Sequence, residues 1–572
     1  MADTAVPRIA LYDGYYLDNF KFLLNFVCGR YQDLLTPAEI EYVQTFMAAS
    51  EAAQRLYVRL VLRKGPWFRA DKLNYPEIND LDQAASELIS IGILTAYRSS
   101  ESPVEDLVET DTDEIEQLLS LLTKQELIAL LETHLEFNSK PSSLYKVELL
   151  ALGCEHLSKP DILRAVQFSL FRPVGIENLE LLKLLFFGNM YQDFTEFVLN
   201  DLGVTPFEQY KIDHDTRFFS RRSIVDDTVH LYHLNELSHQ VIDNKDPEAL
   251  LQVAEMANQV TETSLQRRKD RIVNRVARQL ERLEQYPDAL RLFETSKSAP
   301  SRERQARIYH SIFENIDQSI MQCSEIIANP EDEAEYEFAI KFGRRILKKH
   351  KRKIPESFPT LEKIAPVPVS LELQFDPDIR VEEATRKWYA AQGHQAAYVE
   401  NALFTGVFGL IFWDIIFSPV RGVFFNPFQR GPVDLFSADF ALQRETEIAG
   451  RLLEIEEANG ASVRTRFLKT YADKQGIANF LVNWNVLDYS LVELALDRIP
   501  LRHFHSVFSR LLADLKSNRS GLPDLIIFPK QGGYRLIEVK GPGDKLQNNQ
   551  TRWIRHFQRE KMPIEVVNVQ WA

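Results

Sequence analysis

The sequence predicts a multidomain, mostly α chain that closes in a smaller α/β domain. Three observations carry this. At 572 residues the chain exceeds one ordinary core; at about 100–200 residues per domain it has room for several. Apolar residues recur at helical spacing from the N-terminus to about residue 370. Runs of strand type gather only near the C-terminus, where LPDLIIF and YRLIEVK are joined through KQGG and IEVVNVQW follows.

Composition narrows the classes. The chain is 45% hydrophobic and 26% charged, as a globular protein is, and its formal net charge is −15. An acidic total argues against a uniformly basic surface but leaves room for local basic patches. Cys28, Cys154 and Cys323 are far apart and form no CxxC pair, which speaks against a zinc finger or a disulfide framework. The N-terminus lacks a basic-then-apolar signal pattern. The most apolar stretch, Phe404 to Phe417, is interrupted by Asp414. It falls short of the ~18–20 residues that span a bilayer and reads as a buried core helix. A reducing intracellular compartment and no membrane partner are the expectation.

Residues 1–104 read as an N-terminal helical domain, with FKFLLNFVCGRY and ASELISIGILTAY at helical spacing. LYVRLVLRKGPWFRADKLNY mixes basic and aromatic residues, which suits contact with nucleic acid and equally an amphipathic helix end. ESPVEDLVETDTDEIE holds eight acids and no base, and reads as a solvated boundary. Over 105–154 two Leu-rich helical patterns flank a Lys/Ser/Pro turn. Leu127, Leu131, Lys140, Lys146, Leu149 and Leu150 give this segment a resemblance to the SAP module, a small DNA-binding helix pair.

From 155 to 370 the pattern is almost continuously helical and predicts an α-solenoid. In RVARQLERLEQYPDALRLFETS a helix, a tight turn at Tyr286-Pro287 and a second helix place Ala277, Leu280, Tyr286 and Ala289 near the close-packing positions of tetratricopeptide repeats. Two basic runs interrupt an otherwise acidic chain. One carries Arg267, Arg268, Lys269, Arg271, Arg275, Arg278 and Arg282; the other Arg344, Arg345, Lys348, Lys349, Lys351, Arg352 and Lys353. They are candidates for DNA-backbone contact, against the alternative of a solvated helix face. Pro355, Pro359, Pro366 and Pro368 then mark a boundary, and a last domain is expected over 371–572. Its expected order is helix, β-hairpin, helix, strand, with the helical reading running from Asp378 through Phe417.

The hairpin poses the functional question. Residues alternate sides along a strand, so Glu538 and Lys540 share a face with Leu536 while Ile537 and Val539 take the other. Asp524 begins the partner strand. Two carboxylates at one sheet edge repel unless a cation joins them. Hard oxygen donors suit Mg²⁺ or Mn²⁺, and a nearby lysine can stabilise developing negative charge. Around this site the local balance over 501–572 is twelve Lys/Arg against six Asp/Glu, that is +6.

Pro523-Asp524 followed by Glu538-Val539-Lys540 resembles the PD-(D/E)xK nucleases. GLPDL, IEVKGPGD and Gln550-x-x-Trp553 are similar to the VRR-NUC branch, and WDIIF at Trp413–Phe417 brings the likeness to the Fanconi-associated nuclease family. The resemblance covers the last 200 residues well, with the SAP-like and tetratricopeptide-like regions in that family's order. It implies a restriction-endonuclease-like nuclease domain, metal-dependent cleavage of 5′-flap and branched DNA, 5′→3′ exonuclease action and a role in interstrand crosslink repair. It also implies a metal shell of Glu400, Asp524, Glu538 and the carbonyl of Val539, with Lys540 beside the reacting water and Glu383 the competitor to Glu400. Gln550 would orient a water or phosphate, or make a surface hydrogen bond; Asp414 reads as structural. The chain lacks the cysteine spacing of the ubiquitin-binding zinc finger of eukaryotic members and resembles a compact bacterial-type member, expected in the cytoplasm or nucleoid. Rival expectations are a Holliday-junction resolvase or restriction-like nuclease, and a non-catalytic helical-repeat scaffold. Protein partners are not implied.

Overall fold

The structure is a computed structural model that describes residues 12–63, 65–97, 112–137, 140–192, 194, 206–361, 368–457 and 460–572. The chain gathers into two compact units, residues 1–202 and 203–572.

The first unit is helical around a three-stranded antiparallel sheet. Its helices are α1 (Tyr15–Tyr31), α2 (Pro37–Ala48), α3 (Glu51–Val61), α4 (Leu81–Ser90), α5 (Thr112–Ser120), α6 (Lys124–Glu132), α7 (Lys146–His156), α8 (Lys159–Ala165) and α9 (Ile176–Phe187). Strands β1 (Phe68–Arg69), β2 (Leu94–Tyr97) and β3 (Leu170–Pro173) order as β1-β3-β2. α2 starts where Thr36 and Glu39 cap each other reciprocally, Thr36 N donating to Glu39 Oε2 at 2.8 Å. In the SAP-like segment Leu127, Leu131 and Leu149 share one buried cluster. Lys146 Nζ donates to the Ser120 carbonyl at 3.0 Å, so this lysine closes the helix pair. The boundary expected at 155 falls inside this unit, with β3 and α9 after it. Most of the expected acidic boundary, 101–111, lies outside the described residues; its end enters α5.

The second unit begins with seven helices, each packed on the next: α10 (Arg222–Asn244), α11 (Pro247–Gln259), α12 (Gln266–Arg282), α13 (Tyr286–Thr295), α14 (Ser301–Ser311), α15 (Ile316–Ala328) and α16 (Glu333–Lys349). This is the expected solenoid. Ala277, Leu280 and Ala289 are fully buried where α12 meets α13. The turn sits at Leu283–Gln285, with Glu284 left-handed, and Tyr286-Pro287 opens the next helix. A proline is well placed at a helix start because its missing N–H has no partner there anyway.

Five strands then form a mixed sheet, ordered β4-β8-β7-β6-β5. They are β4 (Pro368–Leu373), β5 (Gln395–Tyr398), β6 (Leu525–Phe528), β7 (Arg535–Lys540) and β8 (Ile564–Trp571). β6 and β7 are the predicted hairpin, in the register Leu525↔Ile537. β8 lies parallel to both β4 and β7. Around the sheet are α17 (Val381–Ala391), α18 (Leu403–Ile411), α19 (Trp413–Ile416), α20 (Ala438–Gln443), α21 (Glu445–Glu457), α22 (Gly460–Lys474), α23 (Tyr489–Arg498), α24 (Leu501–Ala513), α25 (Leu515–Asn518) and α26 (Asn548–Arg559). Both sheet faces are packed: Ile537 and Val539 against Tyr389 of α17, Leu536 and Ile526 in the large core with α18, α24 and α26.

Three expectations are corrected here. The helix expected to run through Gln395–Tyr398 stops at Gly393, which takes φ +80°, and QAAY pairs with β6 as an edge strand. β4, too, was absent from the expected order. The apolar stretch Phe404–Phe417 is two helices, because Arg451 takes the carbonyl of Ile411 out of the helical ladder and pairs with Asp414 at 2.8 Å. Asp414 is thereby structural, as read. Among the described residues no helix is long and apolar enough to cross a membrane.

Candidate active site

The hairpin strands bring two acids together, and the end of a third strand sets another acid beside them. Asp524 precedes β6, and its Oδ2 accepts from Val539 N at 2.8 Å. Its own carbonyl accepts from Val399 N at 2.8 Å, which carries the end of β5 alongside and sets Glu400 next to the pair. Asn401 follows in the left-handed region, φ 52°, and its Oδ1 accepts from Leu522 N at 3.0 Å, tying the Glu400 turn to the loop before Asp524. Gly521, φ +84°, lets that loop pass against α26; a Cβ there would meet the Asn549 backbone at 2.8 Å.

The buried charges repel. Asp524 is 7% and Glu538 1% exposed. Burial pushes the Asp524 carboxyl up to about 6, with the Glu400 charge adding to it. Burial, then the Asp524 charge, push Glu538 up to about 8. Lys540 Nζ lies 2.8 Å from Glu538 Oε1. The lysine is the one partner of this buried oxygen among the described residues, and it offsets only part of the cost of burial. Two buried carboxyls held side by side, both raised and with a single lysine between them and full charge, are a donor set that fits a hard divalent cation.

Glu400 is exposed and turned aside. It accepts from the Tyr398 hydroxyl, and from Asn401 Nδ2 at 3.3 Å. Among the described residues no three acidic, His or Cys side chains enclose an ion position. Glu383 is bound bidentately by Arg386 at 2.6 and 2.7 Å. Glu382, which sequence reasoning passed over, lies near enough to raise Asp524 further and also Tyr398. The only signal for it was adjacency to Glu383. Half-buried Gln550 accepts at Oε1 from Lys540 Nζ at 3.1 Å and from Gln547 N at 2.9 Å, so it caps α26 and holds the lysine at once.

The basic runs divide by what they touch. Arg267 and Arg271 line a cavity of about 1440 Å³ together with Arg278, Arg282 and, from α25, Lys516. The four arginines, spaced four, seven and four residues apart, fall on one exposed stripe of α12, opposite the buried Ile272, Val273, Val276 and Leu280. Arg267 also pairs with Asp439 at 3.1 Å. Arg268 instead stacks on Tyr232 at 4.2 Å, and Lys269 donates to the Val260 carbonyl at 3.0 Å. On α16, Arg344 donates to the Phe358 carbonyl at 2.6 Å and Arg345 lies over Phe342 at 5.0 Å, while Lys348 and Lys349 are exposed.

The raised carboxyls predict a pH dependence. A cation must displace the Glu538 proton below about pH 8, so affinity of the metal-free protein for Mg²⁺ or Mn²⁺ should rise about tenfold per pH unit between pH 6 and 8. Stability runs the other way. The folded, metal-free state binds these protons more tightly than the unfolded chain, so the contribution is full below the ordinary carboxylate range and is lost as pH rises towards 8, at up to about 1.4 kcal/mol per unit for each titrating group. Mn²⁺ titration and thermal melts across this range check both slopes; flat metal affinity would overturn the assignment.

Comparison with known proteins places this geometry. The VRR-NUC domain model matches residues 458–571 and the FAN1 HTH domain model residues 14–95. The Fanconi-associated nuclease 1 homolog of Pseudomonas aeruginosa is 33% identical, over 97% of this chain and 96% of its own. The chain belongs to the Fanconi-associated nuclease family. A family homolog of Arabidopsis thaliana is 26% identical over 97% of this chain and 67% of its own, and Fanconi-associated nuclease 1 of Homo sapiens is 26% identical over 97% and 62%. The crystal structure of paFAN1 bound to 2nt 5′ flap DNA with gap superposes with a TM-score of 0.82 at 32% identity, covering 98% of this chain and 99% of that one. As a member of the Fanconi-associated nuclease family the chain is a DNA nuclease, and divalent-metal dependence is general to that family.

Proposed function

We propose that the chain is a structure-specific endonuclease that cleaves 5′-flap DNA in a repair role, with its chemistry at Asp524, Glu538 and Lys540. The observation that carries this is the buried, mutually repelling Asp524–Glu538 pair with Lys540 against it, on a chain of this family. Flap specificity is supported by the flap-bound paFAN1 structures at 32% identity. Asp524 and Glu538 would hold the ion, with Glu400 and the Val539 carbonyl completing the shell. When bound, Mg²⁺ or Mn²⁺ supplies Lewis acidity and acidifies a coordinated water. The ammonium of Lys540 has three protons. One is donated to Gln550, and the group lies against Glu538, which leaves a donor for a phosphate oxygen as negative charge builds. Asp524 is held by Val539 N, so it stays aimed at the same point through the reaction.

Duplex binding falls to the cavity stripe of Arg267, Arg271, Arg278 and Arg282 with Lys516, whose cations reach phosphates without reading bases. Arg268, Lys269, Arg344 and Arg345 are engaged within the fold and contribute less; Lys348 and Lys349 remain available. In this reading the helices over 1–104 and the SAP-like module at 105–154 grip DNA, the solenoid, which begins only after β3 and α9, spaces junction from cut, and the last domain is the nuclease. 5′→3′ exonuclease action and crosslink repair follow the same reading.

Labelled flap, nicked, gapped and four-way DNAs with Mg²⁺ or Mn²⁺ test it. Cleavage of the flap at least ~10-fold faster than the others is expected, within what differential transition-state binding delivers. Preferred cutting of the four-way junction would make the chain a resolvase, and no metal-dependent cutting of any substrate would leave a helical-repeat scaffold.

A further inference from the structure

The nuclease site is tied to the solenoid through a buried ion cluster. α16, the last solenoid helix, presents Glu333 and Glu337 one turn apart. Glu337 is 5% exposed and accepts from Arg555 Nη1 at 2.8 Å and Lys341 Nζ at 2.9 Å, with Arg552 Nε at 3.7 Å. Arg552 and Arg555 both stand on α26. Glu333 pairs with Arg510 of α24, and the Arg510 guanidinium lies 4.9 Å over the ring of Trp553, again on α26. The Nε atoms of all three arginines are buried without a hydrogen-bond partner, so the two glutamates are what orient them. Burial alone would raise the Glu337 carboxyl; Arg555, Lys341 and Arg552 bring it below its ordinary value, so it is held as an anion.

α26 therefore has two anchors. Its middle, at Arg552 and Arg555, is gripped by Glu337 of the solenoid. Its first turn carries Gln550, which holds Lys540. We propose that Glu337 is a positioning residue for the cleavage reaction: through Arg552 and Arg555 it fixes the axial position of α26, and with it the Gln550 amide against Lys540. The same helix α16 bears the exposed Lys348 and Lys349 eleven and twelve residues on, so load on that end of the solenoid is passed to the site by a rigid helix. A helix shift of about 1 Å is enough to matter, since misplacement on that scale can cost up to ~10²-fold in rate.

The inference rests on the nuclease reading and is tested so that the two can fail separately. In the full chain, Glu337→Gln should lower single-turnover flap cleavage with Mg²⁺ about 10-fold while flap affinity stays within about twofold. In a Gln550→Ala background the same change should have no further effect, because the link is already cut. Arg555→Gln should reproduce the loss and Arg555→Lys, which keeps the ion pair, should restore most of it; this guards against a folding defect in one variant. Independently of cleavage, hydrogen exchange of the α26 amides at 551–554 should quicken in Glu337→Gln without DNA or metal. Full activity of Glu337→Gln, an equal loss in both backgrounds, or unchanged exchange would each overturn the proposal. Failure of the unmodified chain to cut flap DNA would sink the nuclease reading while leaving the exchange result to decide the coupling.

Discussion

Lys540→Ala is expected to slow flap cleavage at least ~10²-fold with metal-free DNA affinity almost unchanged, the scale for losing a preorganised donor at the transition state. The lysine sits where a donor is worth most: beside a carboxylate 1% exposed, with one proton fixed on Gln550. Asp524→Ala and Glu538→Ala should lose as much or more, since each removes an anionic donor from a two-carboxylate set. Affinity should survive because the proposed phosphate-binding cations lie on α12 and α25, away from the hairpin. A second readout separates chemistry from packing. Glu538→Gln removes a charge that burial and Asp524 both oppose, so the metal-free variant should melt higher than the unmodified chain at pH 8 and above. A lower melting point, or normal cutting by Lys540→Ala, would sink the role given to this triad.

Glu400→Gln should nearly abolish cleavage at low metal and recover in part at high Mn²⁺, whereas Glu383→Gln should remain close to normal. A neutral amide binds a hard divalent ion more weakly than a carboxylate and leaves the remaining ligands less able to hold it. Glu383 has its charge committed to Arg386 by two hydrogen bonds, and its loss frees an arginine that also reaches the Ala396 carbonyl at 3.4 Å. Glu400 has only a phenol and an amide as partners, both of which an ion outcompetes. Metal titration of flap cleavage for both variants decides between them. An inactive Glu383→Gln beside an active Glu400→Gln would move the upstream ligand to α17.

The parts of this design that were legible in the sequence are those whose physics is local. LPDLIIF and YRLIEVK read as strands because both of their faces are buried, and the alternation that puts Glu538 and Lys540 on one side needs no tertiary knowledge. β5 was illegible because QAAY has no strand propensity of its own; it is held by register with β6 and by the turn at Gly393. β4 hid behind prolines and pairs with a strand nearly two hundred residues later. The basic run of α12 was visible as charge, but which cations face the cavity depends on Tyr232 and Asp439, distant in sequence, and on the Val260 carbonyl at the end of the preceding helix. Glu382 had only its adjacency to Glu383, and Glu337 only its i,i+4 Lys341, because the partners that matter come from other elements.

The place of β8 in the sheet bears on how a cell makes such an enzyme safely. The strand that holds Glu538 and Lys540 is paired on one side by β8, at Glu538↔Val566 and Lys540↔Asn568. A ribosome must therefore have added residues 564–571 before β7 has its second neighbour, although every proposed ligand and the lysine were polymerised earlier. Long-range parallel pairing is also slow to form. A nascent or prematurely terminated chain would display the acids without the neighbouring strand that aims them, and so would lack the geometry that cutting needs.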